Sequence, residues 1–343
     1  MEKRNQKPAL FSLLLTFLFL FLLPKTLLAR GSSYWDKVKV GRLERRYLVH
    51  LPPGFRHHPE NRVPLILFFH GGAGTPRGAE VQTGLSALAD REGVIVVYPE
   101  ALQMNWNDGR NCHKMWSQAN NIDDVGYVEA LLAKMKSTFA IDEARVYAGG
   151  FSNGGMMCHR LAAKLPLAFA AVAIVGGGMA ESVAKKFLPD FPVSILVIHG
   201  TKDPVVPYRG GGVGYRGNRG RIIDNHRVVR LWRGANGCSR VPHVAYLPDR
   251  RRDGTRVKTF TYRNGGRGSE VVLYTIMGGG HVWPGKKISK RWRQMVGPVC
   301  LDFDGAHALW SFFLTHPRKG LTTRPKAKRK RRGRKRRRGS RGL

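Results

Sequence analysis

Residues 150 to 154 read Gly150-Phe151-Ser152-Asn153-Gly154, a GxSxG pentapeptide that follows the apolar run 144–148 and precedes a stretch of helical pattern. A serine hydroxyl is a weak nucleophile at its free pKa. It is activated when a sharp turn exposes Oγ, a histidine accepts its proton and a carboxylate orients that histidine. Glycines two before and two after the serine suit such a turn, because the strand and helix on either side of it approach closely. Two further residues qualify by position: Asp203, in His199-Gly200-Thr201-Lys202-Asp203, and His281, in Gly278-Gly279-Gly280-His281, each following a strand-like run. Singly, each has a plain structural reading. GxSxG arises by chance in a chain with 41 glycines, Asp203 is a turn former before Pro204, and His281 is a packed or surface histidine.

The combination points to nucleophilic acyl transfer. His281 would take the Ser152 proton as Oγ attacks a carbonyl and return it to the leaving group, while Asp203 fixes the histidine tautomer and stabilises the imidazolium. The oxyanion that forms needs preorganised donors. The backbone amide of Asn153, directly after the serine, is one candidate; the other lies in the glycine turn His70-Gly71-Gly72-Ala73-Gly74, with Gly72 first and Gly71 second. Trp106 and Trp283 are candidate walls for an apolar acyl group, against the alternative that both are packing residues. Asp123 and Asp124 resemble a catalytic carboxylate pair, but a helix cap before Val125 suits at least Asp124 better.

These residues must be held by elements that the hydrophobic pattern outlines. Val38 to Leu51 holds two alternating segments suited to an antiparallel start. Largely apolar runs follow at Val63 to Phe69, Val94 to Tyr98, Arg145 to Ala148, Ala170 to Val175, Ser194 to His199 and Val271 to Met277, as in strands buried on both faces. Between them lie helical patterns at Glu80 to Glu92, Val125 to Phe139, Gly154 to Leu165 and Asp224 to Ala235, with a last one near Asp304 to Thr315. Strand and helix alternating in this way predict an α/β class with a mostly parallel sheet covered on both faces. In such sheets ligands bind beyond the carboxyl ends of the strands, which is where Ser152, Asp203 and His281 fall. Their order along the chain, Ser then Asp then His, is that of α/β-hydrolases. The Gly- and Arg-rich stretch Tyr208 to Gly220 fits no element and is expected to border the site.

The ends differ from this body. Residues 1–29 have a basic start (Lys3, Arg4, Lys7), an apolar stretch from Ala9 to Leu23 and a candidate cleavage point near Ala29, the anatomy of an export signal. The stretch falls short of the ~20 residues a spanning helix needs, an uncleaved anchor being the alternative. A secreted or periplasmic protein follows, with a catalytic domain over 30–317. Residues 318–343 carry fifteen Lys or Arg and no acid, and the remainder still holds a net charge of about +21 of the total +36. This tail is expected to be disordered, and either contacts a polyanion or is simply solvated; no dedicated protein partner is predicted. Four cysteines (Cys112, Cys158, Cys238, Cys300) in an exported chain allow up to two disulfides. Cys112-His113 and Cys158-His159 lack zinc-site spacing, so no metal is expected.

Beyond the triad, the chain resembles the polyhydroxybutyrate depolymerase and feruloyl esterase family. The resemblance runs over residues 35 to 317 and is carried by His70-Gly71-Gly72, Trp106-Asn107-Asp108-Gly109, Asp123-Asp124-Val125-Gly126-Tyr127, the segment 150–157, the segment 199–208 and the segment 278–285. It implies an α/β-hydrolase fold and a secreted, cofactor-free serine esterase with Ser152, Asp203 and His281 as its triad. Implied substrates are feruloyl or acetyl esters of polysaccharides, or short hydroxyalkanoate esters. A serine peptidase of the same fold shares the triad chemistry, and a polyanion-binding protein is the reading from another class. The chain departs from the family in two places. Similar proteins pair a cysteine at the position of Cys238 with one that Tyr262-Arg263-Asn264-Gly265-Gly266 lacks, leaving Cys238 free or paired elsewhere, for instance with Cys300. The family pattern also lacks the basic tail.

Overall fold

The computed structural model describes residues 30–55 and 60–320. The export signal predicted over 1–29 and the basic run from residue 321 lie outside them. Twelve strands occur among the described residues: β1 (Ser32–Val40), β2 (Leu43–Leu51), β3 (Val63–Phe69), β4 (Ile95–Pro99), β5 (Ile141–Phe151), β6 (Ala171–Val175), β7 (Ser194–Gly200), β8 (Gly211–Gly212), β9 (Arg221–Ile222), β10 (His243–Tyr246), β11 (Arg256–Tyr262) and β12 (Val271–Met277). Ten of them form one sheet in the order β1-β2-β4-β3-β5-β6-β7-β12-β11-β10. From β4 through β12 neighbouring strands are parallel, and antiparallel pairs close both edges. This is the mostly parallel, doubly covered sheet of an α/β-hydrolase fold.

The alternation along β3 explains why the sheet needs cover on both sides. Leu65, Leu67 and Phe69 enter one core with residues from the helices Asp124–Thr138, Asn153–Lys164 and Asn225–Asn236. Ile66 and Phe68 enter the other, with the helices Pro76–Thr83, Leu85–Glu92 and Gly305–Thr315. Successive side chains of a strand point to opposite faces, so an unbroken apolar run demands two layers of helices. The stretch predicted as one helix over Glu80 to Glu92 is two, because Gly84 takes φ +69 and ends the first while opening the second. No helix among the described residues is long and apolar enough to cross a membrane.

The cysteines resolve an alternative that the sequence leaves open. All four are free and buried. Cys238 belongs to the core on one face of the sheet and Cys300 to the core on the other, so the pairing of these two is blocked by the sheet itself. Burial pushes the thiols of Cys158, Cys238 and Cys300 above their ordinary range. The proposed boundary at residue 317 also moves. Arg318 is part of the folded body, its amide donating to the Ala144 carbonyl and its guanidinium to those of Pro166, Leu167 and Phe169.

Candidate active site

Strand order reverses between β3 and β5: the helices following β3 cover one face and the helix following β5 covers the other. At such a switch point the two connections diverge and leave a crevice beyond the strand ends. Ser152 sits there, between β5 and the helix Asn153–Lys164, with φ 55 and ψ −121. A non-glycine residue at positive φ stores strain, and here it lifts Oγ out of the turn. The flanking glycines are required by contact: a Cβ on Gly154 would stand 2.0 Å from the Phe69 carbonyl oxygen, and one on Gly150 would stand 2.5 Å from the Gly154 backbone.

The loops after β7 and β12, neighbours in the sheet, bring Asp203 and His281 to the serine. Ser152 Oγ–H donates to His281 Nε2 at 2.9 Å, and His281 Nδ1–H donates to Asp203 Oδ2 at 2.6 Å. Asp203 Oδ1 accepts the amides of Val205 and Val206 at 2.8 and 2.7 Å. Burial works to raise the Asp203 pKa, but the charge of His281 and hydrogen bonds from His199 and His281 hold its carboxyl well below the usual range. The base is thus oriented by a group that stays ionised. Phe151 packs against the His281 ring at 4.9 Å, limiting its tilt.

Sequence reasoning missed the shell behind Asp203. His199 Nε2 lies 2.9 Å from the Val206 carbonyl and 3.3 Å from Asp203 Oδ2. Both are acceptors, so that nitrogen carries the proton and Nδ1 accepts from Asn225 Nδ2 at 2.9 Å. Asn225 in turn donates to the Tyr208 carbonyl, tying the carboxylate to the helix Asn225–Asn236. The signal was present in the strand-end histidine of His199-Gly200-Thr201, but its partner is 26 residues away.

Gly71, Gly72 and Asn153 line the cavity together with Ser152 and His281. The Gly71 carbonyl is held from behind by His70 Nδ1–H at 2.7 Å and by the Gly74 amide at 3.0 Å. A trans peptide plane then points the Gly72 N–H the opposite way. The Asn153 side chain is committed elsewhere: its Oδ1 accepts the Trp106 amide at 2.8 Å and its Nδ2 donates to Asp108 at 2.6 Å. Its backbone N–H belongs to the first turn of a helix, where amides lack helical partners and favour negative charge.

Two site expectations change. Trp106 is 0% exposed and Trp283 1% exposed, and neither lines the cavity. Trp106 is a brace for the glycine turn, its Nε1–H donating to the His70 carbonyl at 2.9 Å; Trp283 packs edge-on against Phe68 and Phe151. The aromatic residues that do line it are Phe151, Tyr215 and Trp292, the last 58% exposed on the helix Lys290–Val296 with Met295 beside it. Asp123, not Asp124, caps the helix Asp124–Thr138 by accepting the Gly126 amide. Asp124 is buried, paired with Arg45 at 2.7 Å and accepting the Asn107 amide. The stretch from Tyr208 to Gly220 does border the cavity, through Val213 to Arg216, Asn218 and Arg219. Neither Cys-His pair belongs to the ligand group that converges among the described residues, Asp253, Cys300 and Asp302. In that group the carboxylates accept backbone amides, those of Thr255 and Leu301 for Asp253 and those of Arg250 and Arg251 for Asp302.

Comparison with known proteins finds esterases. The profile of the Esterase PHB depolymerase family matches residues 45–205. NocK of Nocardia uniformis subsp. tsuyamanensis, assigned by name to the esterases, is 33% identical over 265 residues, covering 75% of this chain and 76% of NocK. Feruloyl esterase B of Piromyces equi is 28% identical over 244 residues, 69% of this chain and 42% of that protein, so the match spans less than half of the relative's length. Among solved structures, an acetyl xylan esterase from Aspergillus awamori aligns with 73% of this chain and 94% of its own, at TM-score 0.49 and 16% identity.

Proposed function

We propose that this chain, which belongs to the Esterase PHB depolymerase family and is a carboxylic ester hydrolase, works through a serine acyl-enzyme with Ser152 as nucleophile, His281 as general base and acid, and Asp203 as its orienting carboxylate. The observation that carries this is the unbroken relay of 2.9 and 2.6 Å from Ser152 Oγ through the His281 ring to Asp203. Oγ attacks the ester carbonyl while Nε2 takes its proton. The oxyanion settles against the amides of Asn153 and Gly72, and the tetrahedral intermediate collapses as His281 protonates the leaving alcohol. A water, deprotonated by the same nitrogen, then releases the acid. The route needs no cofactor.

The cavity, about 1200 Å³, exceeds the ~300–1,000 Å³ of an ordinary small-molecule site. This supports esters with a bulky half, such as a feruloyl or acetyl group borne on a polysaccharide, over a lone short ester; hydroxyalkanoate oligomers are the second class. The basic, then apolar, start of the chain supports an exported enzyme. The test is a panel of methyl ferulate, acetylated xylan, hydroxybutyrate oligomers and peptide amides, run on wild type and Ser152→Ala. Ester turnover is expected to drop by roughly 10⁴-fold or more in the variant, with no amide cleavage by either protein. Full ester turnover by Ser152→Ala would reject the mechanism, and amide cleavage would favour the peptidase.

A further inference from the structure

The cavity over Ser152 has a distinctive charge. Its walls hold Arg110, Lys114, Arg216 and Arg219, and among the described residues no aspartate or glutamate lines it. The four cations are not equivalent. Arg110 is buried and compensated: its Nη2 lies 2.8 Å from the Asp108 carboxylate, Nε donates to the same group, and Nη1 donates to the Arg219 carbonyl at 2.7 Å. Its charge is spent on holding the loop.

Lys114, Arg216 and Arg219 are exposed, and none of them has an acidic partner among the described residues. Exposed cations without an acid occur elsewhere on this basic chain, Lys39, Arg42, Arg230 and Lys287 among them, beside paired ones such as Lys37–Glu44 and Arg221–Glu181. What sets these three apart is that they line a single cavity, over the nucleophile, whose lining holds no acid. The segments carrying the three free cations are also fixed. The Arg219 amide donates to the Val213 carbonyl at 2.9 Å, Arg110 holds the Arg219 carbonyl, and the β8–β9 pair closes the loop. Lys114 lies in a turn closed by the Met115 amide on the Cys112 carbonyl, with the Cys112 amide held by Gln118.

Three unpaired cations facing one concavity repel one another, and a low-dielectric wall focuses their field into the space where the substrate sits. Guanidinium and ammonium groups so placed are satisfied by a carboxylate. Resting on the acyl-transfer reading above, we propose that the ester this enzyme takes is anionic, with a carboxylate on the acyl or the alcohol half held by Lys114, Arg216 and Arg219.

Matched esters test this. 4-Nitrophenyl hexanoate against 4-nitrophenyl hemiadipate places the charge on the acyl half, and phenyl acetate against 4-acetoxybenzoate places it on the alcohol half. At low ionic strength at least one charged ester is expected to exceed its neutral match in kcat/KM by about tenfold, with the ratio falling toward parity in about 0.5 M salt. The variant Lys114→Gln/Arg216→Gln/Arg219→Gln is expected to lower that ratio by about tenfold; the pair that responds identifies the charged half. Charged esters turned over no faster than neutral ones by wild type, or a ratio indifferent to salt, would overturn the proposal without any variant. Loss of the nucleophile reading is a separate result, seen as neutral-ester turnover that survives Ser152→Ala.

Discussion

At the scale of single residues, His70 ties the oxyanion turn to the rest of the fold and makes that tie sensitive to acid. Its Nδ1–H donates to the Gly71 carbonyl and its Nε2 accepts the Ala101 amide at 3.1 Å, an arrangement only the neutral ring satisfies. Burial pulls its pKa down to about 4, and that of His159 to about 3. The unfolded chain binds a proton on each near pH 6.5 while the folded chain does not, so this stability is fully present above pH 6.5 and is lost as the pH falls toward 4. For His70 the loss by pH 4 is on the order of 3 kcal/mol, at about 1.4 per pKa unit. Urea unfolding of wild type and His70→Gln at pH 7.5 and pH 4.5 is expected to find the variant weaker at the higher pH and less pH-dependent between the two. A parallel decline in both proteins would remove His70 from the account. The triad residues were legible because each follows a strand end. His70, His199 and Asn225 were not, since each role depends on at least one distant partner, Ala101 31 residues from His70 and Asn225 26 from His199, which residue type alone does not announce.

At the scale of elements, the nucleophile turn depends on the helix Asn153–Lys164 lying closer to β5 and to the end of β3 than any side chain allows. Gly154→Ala would set a methyl 2.0 Å from the Phe69 carbonyl, a backbone atom with no freedom to withdraw. Overpacking of this kind is expected to cost on the order of 3 kcal/mol in urea unfolding and to lower kcat with it, since relief comes only by moving Ser152 or the glycine turn. A variant as stable and active as wild type would contradict the close packing described. Arg45→Ala makes a second case on the same side of the fold. It strands the Asp124 carboxylate in the core, where burial already outweighs Arg45 and raises its pKa, and is expected to cost about 3–5 kcal/mol; Asp124→Asn in the same background should restore part of it. The central strands were readable from their unbroken apolar runs, β3 and β12 to the residue. β10 and β11 were not, because they form an edge: His243, Lys258 and Arg256 give them polar faces that read as loop. The helix Lys290–Val296 escaped for a related reason, having no buried residue to mark a periodicity.

At the scale of the whole molecule, the boundary between the folded body and the basic terminus decides what each contributes. Arg318 stitches the chain after the last helix to the turn before β6, through carbonyls of Pro166, Leu167 and Phe169, while Arg267 reaches the carbonyls of Lys319 and Gly320. Composition placed this arginine in the basic run because charge count cannot distinguish a guanidinium facing three carbonyls from one facing water. Two truncations separate the parts. Ending the chain after Gly320 removes thirteen of its basic residues but none of these contacts, so ester turnover and Tm should match the full chain. Ending it after Pro317 exposes the three carbonyls and is expected to cost about 2 kcal/mol. If residues 321–343 bind a polyanion, the first truncation should already lose retention on heparin and flatten the steep fall of affinity with salt that counterion release imposes. Should retention persist, the attraction must come from the body, whose unpaired cations include those around the active-site cavity. In that case the triple glutamine variant, and not the truncation, should abolish it.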